Sequence, residues 1–177
     1  AGSLAKEIKD KPLRPSRLIA VAQDVCEGIA QVHLANFIHM DIKPTNVLFD
    51  AHGRAAITDF GQALPLNLLG TADASGHPLY PSFVPPAIAR GSAVATPASD
   101  VYQIGLTLYR ALIGERRFQA EWGPVKAKPF LERRGIIGRG EFPDRVFQPF
   151  VPLGIRRSIL RALDIDPVLR QVGAREL

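Results

Sequence analysis

Apolar residues at Leu18, Val21, Val25, Ile29 and Val32 recur every three or four positions, so they share one face of a helix over residues 16–35. Ser16 stands where an N-cap is expected. Before it, residues 1–14 read as a short helix closed by the turn at Lys11-Pro12. Two short apolar runs, 46–49 and 55–58, flank Asp-Ala-His-Gly-Arg and predict a β-hairpin. Residues 61–97 are rich in Gly, Pro, Ser and Ala, which predicts mostly loop. So long a loop in a compact domain is usually functional or mobile. Thr96 or Ser99 can start the next helix, 100–114, which is apolar nearly all round and therefore central and buried. Two or three more helices follow, including 153–163, and a last one begins near Val172. The pattern predicts one mainly α domain with a small β-hairpin.

Composition narrows this picture a little. A chain of 177 residues that is 46% hydrophobic and 22% charged suits one soluble globular domain. The net charge of +5 comes from basic residues scattered in ones and pairs, with no aromatic stacking platform among them, so nucleic acid is an unlikely partner. The most apolar stretch, 101–114, contains Arg110 and is shorter than the roughly 20 residues a membrane span needs. With no membrane segment and no secretory leader, the expected location is cytoplasmic. The single cysteine, Cys26, lies on the apolar helix face and reads as a buried structural thiol. His33, His52 and His77 lack metal-ligand spacing and read as surface or helix-face residues. Trp122 is expected in the core or as an anchor.

The chemistry concentrates in residues 37–63. Asp41, Lys43, Asn46 and Asp59 supply two carboxylates, one cation and one amide. Phosphoryl transfer needs this set: metal ligands, a cation for the moving phosphate, and a carboxylate to orient the attacking hydroxyl. Asn and Asp oxygens are hard ligands suited to magnesium. Placed on either side of a hairpin, Asn46 and Asp59 can converge on one ion.

The stretch HMDIKPTN resembles the catalytic loop of eukaryotic-type (Hanks-type) Ser/Thr protein kinases, and Asp59-Phe60-Gly61 resembles their magnesium-binding DFG motif. The resemblance extends along nearly the whole chain. GSLAKEIKD is similar to the helix after the kinase hinge, PSFVPPAIARG to the segment that closes the activation loop, and DIDPVLRQVGAREL to the last two helices. The resemblance implies a protein-kinase-like C-lobe, α+β, over residues 1–177, with the N-lobe absent. Its catalytic loop would be 39–46, its DFG 59–61 and its activation segment 59–87.

In such a lobe Asp41 orients the substrate hydroxyl and accepts its proton, and Lys43 neutralises the transferring phosphate. Asn46 and Asp59 hold Mg2+, and Leu48 lines the floor of the adenine pocket. His39 and Phe60 stack in a hydrophobic spine, and Asp100 anchors the catalytic-loop backbone. ATP and Mg2+ are the implied cofactors, and both would need the missing N-lobe for productive binding. Lys43-Pro44 is the Ser/Thr-kinase pattern, which implies a protein substrate with a Ser or Thr hydroxyl.

The sequence departs from the family in three places. Met40 replaces the loop arginine, the non-RD pattern. Pro85-Pro86-Ala87 stands where Ala-Pro-Glu is usual, so Arg170 is expected to lose its glutamate partner. Tyr80 falls where a threonine commonly bonds the catalytic aspartate and lysine. Thr71, Ser75, Tyr80 and Ser82 are candidate phosphorylation sites in the loop.

Two functions follow. One is the C-lobe of a Ser/Thr protein kinase, a phosphotransferase when joined to its N-lobe and inactive as this truncated chain. The other is a non-catalytic interaction or scaffold module. Either leaves an apolar inter-lobe face around Leu48 and Phe60 to be covered by an N-lobe, a partner chain or self-association.

Overall fold

The computed structural model describes residues 2–76, 83–139, 147, 150–171 and 173–177. Its helices are α1 (Leu4–Glu7), α2 (Pro15–Leu34), α3 (Pro86–Ala89), α4 (Pro97–Ile113), α5 (Glu115–Lys126), α6 (Phe130–Gly138) and α7 (Leu153–Ala162). The strands are short: β1 (Phe37–Ile38), β2 (Val47–Phe49), β3 (Ala55–Ile57), β4 (Leu64–Pro65), β5 (Ala72–Asp73) and β6 (Val94–Ala95). They pair antiparallel as β1–β4, β2–β3 and β5–β6. This is the mainly helical, kinase-like arrangement expected.

Helix α4 is the central post. It is buried nearly all round and packs against α2, α5 and α7. Burying each large apolar side chain contributes about 1.5–3 kcal/mol, so Ile104, Leu106, Leu108, Leu112 and Ile113 make this helix the main source of core stability. It begins at Thr96, whose N–H donates to Ser99 Oγ at 3.2 Å, and ends at Gly114, where φ is 82°. Trp122 is buried on α5. Among the described residues, no helix is long and apolar enough to cross a membrane.

The apolar stripe of α2 faces this post, with Leu18, Val21, Val25, Cys26 and Ile29 buried. Ser16 is not its cap. Pro15 takes the first helical position with its preset φ, Arg14 becomes the N-cap, and no side chain caps the end. The 61–97 stretch is also more ordered than its composition suggests. Two-residue ribbons tie β4 back to β1 and β5 to β6, and α3 closes the segment. The last helix, expected near Val172, resolves to a single 3-10 turn over Ala174–Glu176, while Val172 itself lies outside the described residues.

The β2–β3 hairpin is registered Val47↔Ile57 and Phe49↔Ala55. Asp24 of α2 fixes it in place, accepting from Ala55 N and Arg54 Nε, each at 2.9 Å. Gly2 and Ser3 extend the ribbon, since Phe49 N donates to Gly2 O at 2.8 Å and Ser3 bridges Leu48.

Candidate active site

The loop from His39 to Asn46 carries little regular structure, and α4 holds it by side chains. Asp100 accepts the amides of His39 (2.8 Å) and Met40 (2.9 Å) on different oxygens. One turn on, Gln103 accepts Ile42 N at 3.0 Å and donates to Met40 O (2.8 Å) and Phe83 O (3.3 Å). Thr107 reaches Ile42 O at 3.4 Å. This polar row on an apolar helix spans the loop like a rack. Sequence reasoning singled out Asp100 but not Gln103 or Thr107. Their spacing from Asp100 along one helix face was the available signal.

Of the two readings for His33, the helix-face one holds: it lies on α2. Its Nε2 lies 2.9 Å from Asp100 Oδ2, and its side chain is mostly buried. His52 is exposed, and His77 lies outside the described residues, as do Tyr80 and Ser82.

His39 orders the other side of the loop. Asp41 N donates to His39 Nδ1 at 3.2 Å, which leaves Nε2 to carry the proton and donate to Thr58 O at 3.2 Å. Burial holds its pKa below the usual histidine value, against the raising pull of Asp100, so the neutral ring matches this bonding. Its ring centroid lies 4.7 Å from that of Phe60.

Asp41 is buried within the loop and doubly held. Lys43 Nζ donates to its two oxygens at 2.9 and 2.7 Å, and Asn46 Nδ2 donates to Oδ2 at 2.9 Å and to Asp41 O at 3.0 Å. Both amide hydrogens of Asn46 are thereby spent on Asp41. Its carbonyl oxygen is left to accept, with only the Thr45 hydroxyl near it at 3.2 Å.

The hairpin brings Asp59 alongside. Thr58 N donates to Asn46 O at 2.9 Å, so Asp59 is one residue beyond the pairing partner of Asn46. Asp59 adopts a left-handed backbone (φ 66°, ψ 73°), and its exposed carboxylate accepts a long 3.4 Å contact from Gly61 N. Aspartate tolerates this region better than most residues. Asn46 and Asp59 together offer two hard oxygen donors. That suits magnesium, which keeps several waters. Among the described residues no group of three or more His, Cys, Asp or Glu side chains forms a metal cage.

Leu48 and Phe60 stand beside this edge with 41% and 51% of their surface exposed.

Comparison with known proteins shows the family. Residues 1–142 match the family profile described as the protein kinase domain. The chain belongs to the protein kinase family, in its Hanks-type Ser/Thr class. It is 30% identical over 167 residues to serine/threonine-protein kinase PrkC of Bacillus subtilis, covering 94% of this chain and 24% of that protein. It is 35% identical over 171 residues to serine/threonine-protein kinase PknB of Mycobacterium tuberculosis, covering 94% and 26%. Rhodopsin kinase GRK1 of Homo sapiens is 28% identical over 176 residues, covering 92% and 31%. The chain thus spans about a quarter to a third of the length of these kinases.

One kinase-family contact is replaced. With Ala87 in place of the glutamate, Arg170 makes no ion pair with a residue at that position and turns to main-chain oxygens. Only 2% exposed, it donates to Asp164 O (2.8 Å), Ala98 O (3.0 Å) and Ile165 O (3.3 Å). Its guanidinium also lies 5.0 Å over the Tyr102 ring. Burial pushes its pKa down to about 10, with Tyr102, Asp164 and Asp166 pulling the other way.

Proposed function

We propose that this chain supplies the large-lobe half of a protein Ser/Thr kinase site, covering residues 1–177, and transfers the γ-phosphoryl group of ATP to a protein hydroxyl when its N-lobe is present. The observation that carries the reading is Asp41, a carboxylate clamped between Lys43 and Asn46 on a loop fixed to α4. A scaffold needs no such clamp. Bound Mg–ATP supplies the phosphoryl group and neutralises its charge.

Asp41 would orient the incoming hydroxyl and take its proton as the new P–O bond forms and the bond from the γ-phosphorus to the β,γ-bridging oxygen breaks, with ADP leaving. Lys43 follows the phosphoryl charge. The side-chain oxygen of Asn46 and the carboxylate of Asp59 would hold Mg2+, and Leu48 would give the adenine ring an apolar floor. These parts act by positioning and electrostatics, so the missing gripping half is required for turnover. Cytoplasmic location accords with the substrate and nucleotide this chemistry uses.

In the full-length protein, Asp41→Asn should lower kcat for Mg–ATP-dependent transfer to Ser or Thr peptides by about 10²- to 10⁴-fold. An unchanged rate overturns the reading.

The half-exposed Leu48 and Phe60 favour a second reading, an interaction module whose open apolar face takes a partner chain or a second copy. It is distinguished by Mg–nucleotide binding after residues 1–177 are joined to their preceding segment. Restored binding supports the kinase, and persistent failure supports the module.

A further inference from the structure

Several basic side chains in this structure meet acids: Arg17 pairs with Glu7, Arg54 with Asp24, Arg110 with Glu115 and Arg117 with Glu121. Among the described residues, the arginines where α6 faces α3 meet main-chain carbonyls instead. Arg134 donates to the carbonyls of Ala89 (3.2 Å) and Ile88 (3.1 Å), and Arg90 to that of Gly138 (2.9 Å). Arg133 donates to Lys126 O at 3.2 Å, and its buried Nε has no hydrogen-bond partner among the described residues. These carbonyls accept hydrogen bonds but carry no formal charge to balance the guanidinium groups.

Two adjoining hollows open at these arginines. One, of about 470 Å3, has Ala74, Val84, Ile88 and Ile137 in its walls and Phe130 and Arg133 among its lining. The other, of about 420 Å3, has Arg90, Leu131 and Gly135 among its lining, and Arg134 borders both. Among the described residues lining either hollow there is no Asp or Glu. Phe130 and Leu131 are well exposed on the same helix, and the Arg133 and Arg134 guanidinium groups lie 5.9 and 5.7 Å from the Phe130 ring. The site therefore combines positive charge, with no acid among its described lining residues, with accessible apolar surface.

It is also linked to the catalytic loop through Gln103. Val84 follows Phe83, and the Gln103 amide joins Phe83 O to Met40 O. A chain leaving the loop past Phe83 meets the first hollow.

We propose that these two hollows dock an acidic segment of the protein substrate, a run of Asp or Glu around a Leu or Phe. The carboxylates would face Arg133, Arg134 and Arg90, and the apolar residue would enter beside Phe130 and Val84. The proposal rests on the phosphotransfer reading and names the substrate class that reading leaves open. Positive charge on the acceptor side gives specificity and fast encounter, and it makes binding weaken with salt.

The test is fluorescence anisotropy of a labelled Glu/Asp-rich peptide with a central Leu, titrated with the 177-residue chain and no nucleotide present. Saturable binding that falls with salt is expected, and Arg133→Glu should weaken it by about tenfold or more. Arg133→Gln serves if charge reversal unfolds the helix. Arg116→Glu, the same charge change on α5, should leave binding unchanged. Absence of saturable binding overturns the proposal, as does equal binding of the Lys-substituted peptide or equal loss with Arg116→Glu. Preferential binding of RNA or anionic vesicles at the same arginines also overturns it, in favour of those partners.

The full-length protein separates this proposal from its foundation. Asp41-dependent transfer with a KM indifferent to the acidic segment and to Arg133→Glu overturns docking alone. Peptide binding without Asp41-dependent transfer overturns the phosphotransfer reading, and with it the peptide's role as substrate.

Discussion

The carboxylate of Asp100 accepts the Met40 amide at 2.9 Å, across sixty positions of sequence, and so fixes a residue whose backbone is left-handed (φ 64°). Methionine gains nothing from that conformation by itself, so the loop depends on the acceptor. Asp100→Ala would leave two buried amides, those of His39 and Met40, without partners. The expected cost is about 3–5 kcal/mol, read from the urea midpoint at constant m. His33→Ala removes only the third contact and should cost about 1 kcal/mol. An unshifted midpoint for Asp100→Ala would show that the loop is held by something else.

Asp59→Asn keeps a side chain that tolerates a left-handed backbone and removes the charge beside Asn46. In the full-length protein, transfer should fall by about 10²-fold or more while the melting temperature stays put. Raising Mg2+ should recover part of the rate. Wild-type activity at low Mg2+ would mean that Asp59 is not a metal ligand.

Cys26 offers a test of the core. Burial pushes its thiol up to about 12 from an ordinary 9.0. Between these values the unfolded chain loses a proton that the folded chain keeps, so this group's contribution to stability is intact below pH 9 and declines above it. Cys26→Ala should flatten the fall in stability between about pH 9 and 10.5. The native thiol should also react with iodoacetamide far more slowly than the denatured one. Equal alkylation rates at pH 8 would show that the α2 face opens readily.

Gly105 lets α4 and α7 approach closely. A Cβ there would stand 2.7 Å from Ala162 Cβ. Alanine gains about 1 kcal/mol in helix propensity, but overpacking costs about 1–3 kcal/mol. Gly105→Ala should therefore lower stability on balance, and adding Ala162→Gly should restore it. A stabilised single variant in thermal melts would show that the two helices can part without cost.

The readable parts of this protein were the local ones. Asp41, Lys43 and Asn46 lie within six positions, and their mutual hydrogen bonds follow from that spacing. The α2 stripe and the β2–β3 hairpin likewise obey patterns that fit inside one window of sequence. What escaped depended on distant encounters. Nothing near His33 announces that Asp100 will stand 2.9 Å away, and two-residue strands such as β1 and β4 are too short to show alternation. Ser16 misled because Pro15 starts the helix one residue earlier and needs no cap hydroxyl. Lining residues such as Val84 and Arg133 come from segments with no shared pattern, so their hollow exists only after folding.

Arg170 carries one more consequence. Its three acceptors are main-chain oxygens of Ala98, Asp164 and Ile165, which every amino acid supplies alike. Replacing those side chains cannot delete the acceptors. Position 87 is therefore released from the job of balancing a guanidinium. In this chain the anchor of Arg170 lies out of reach of side-chain replacement at its acceptors.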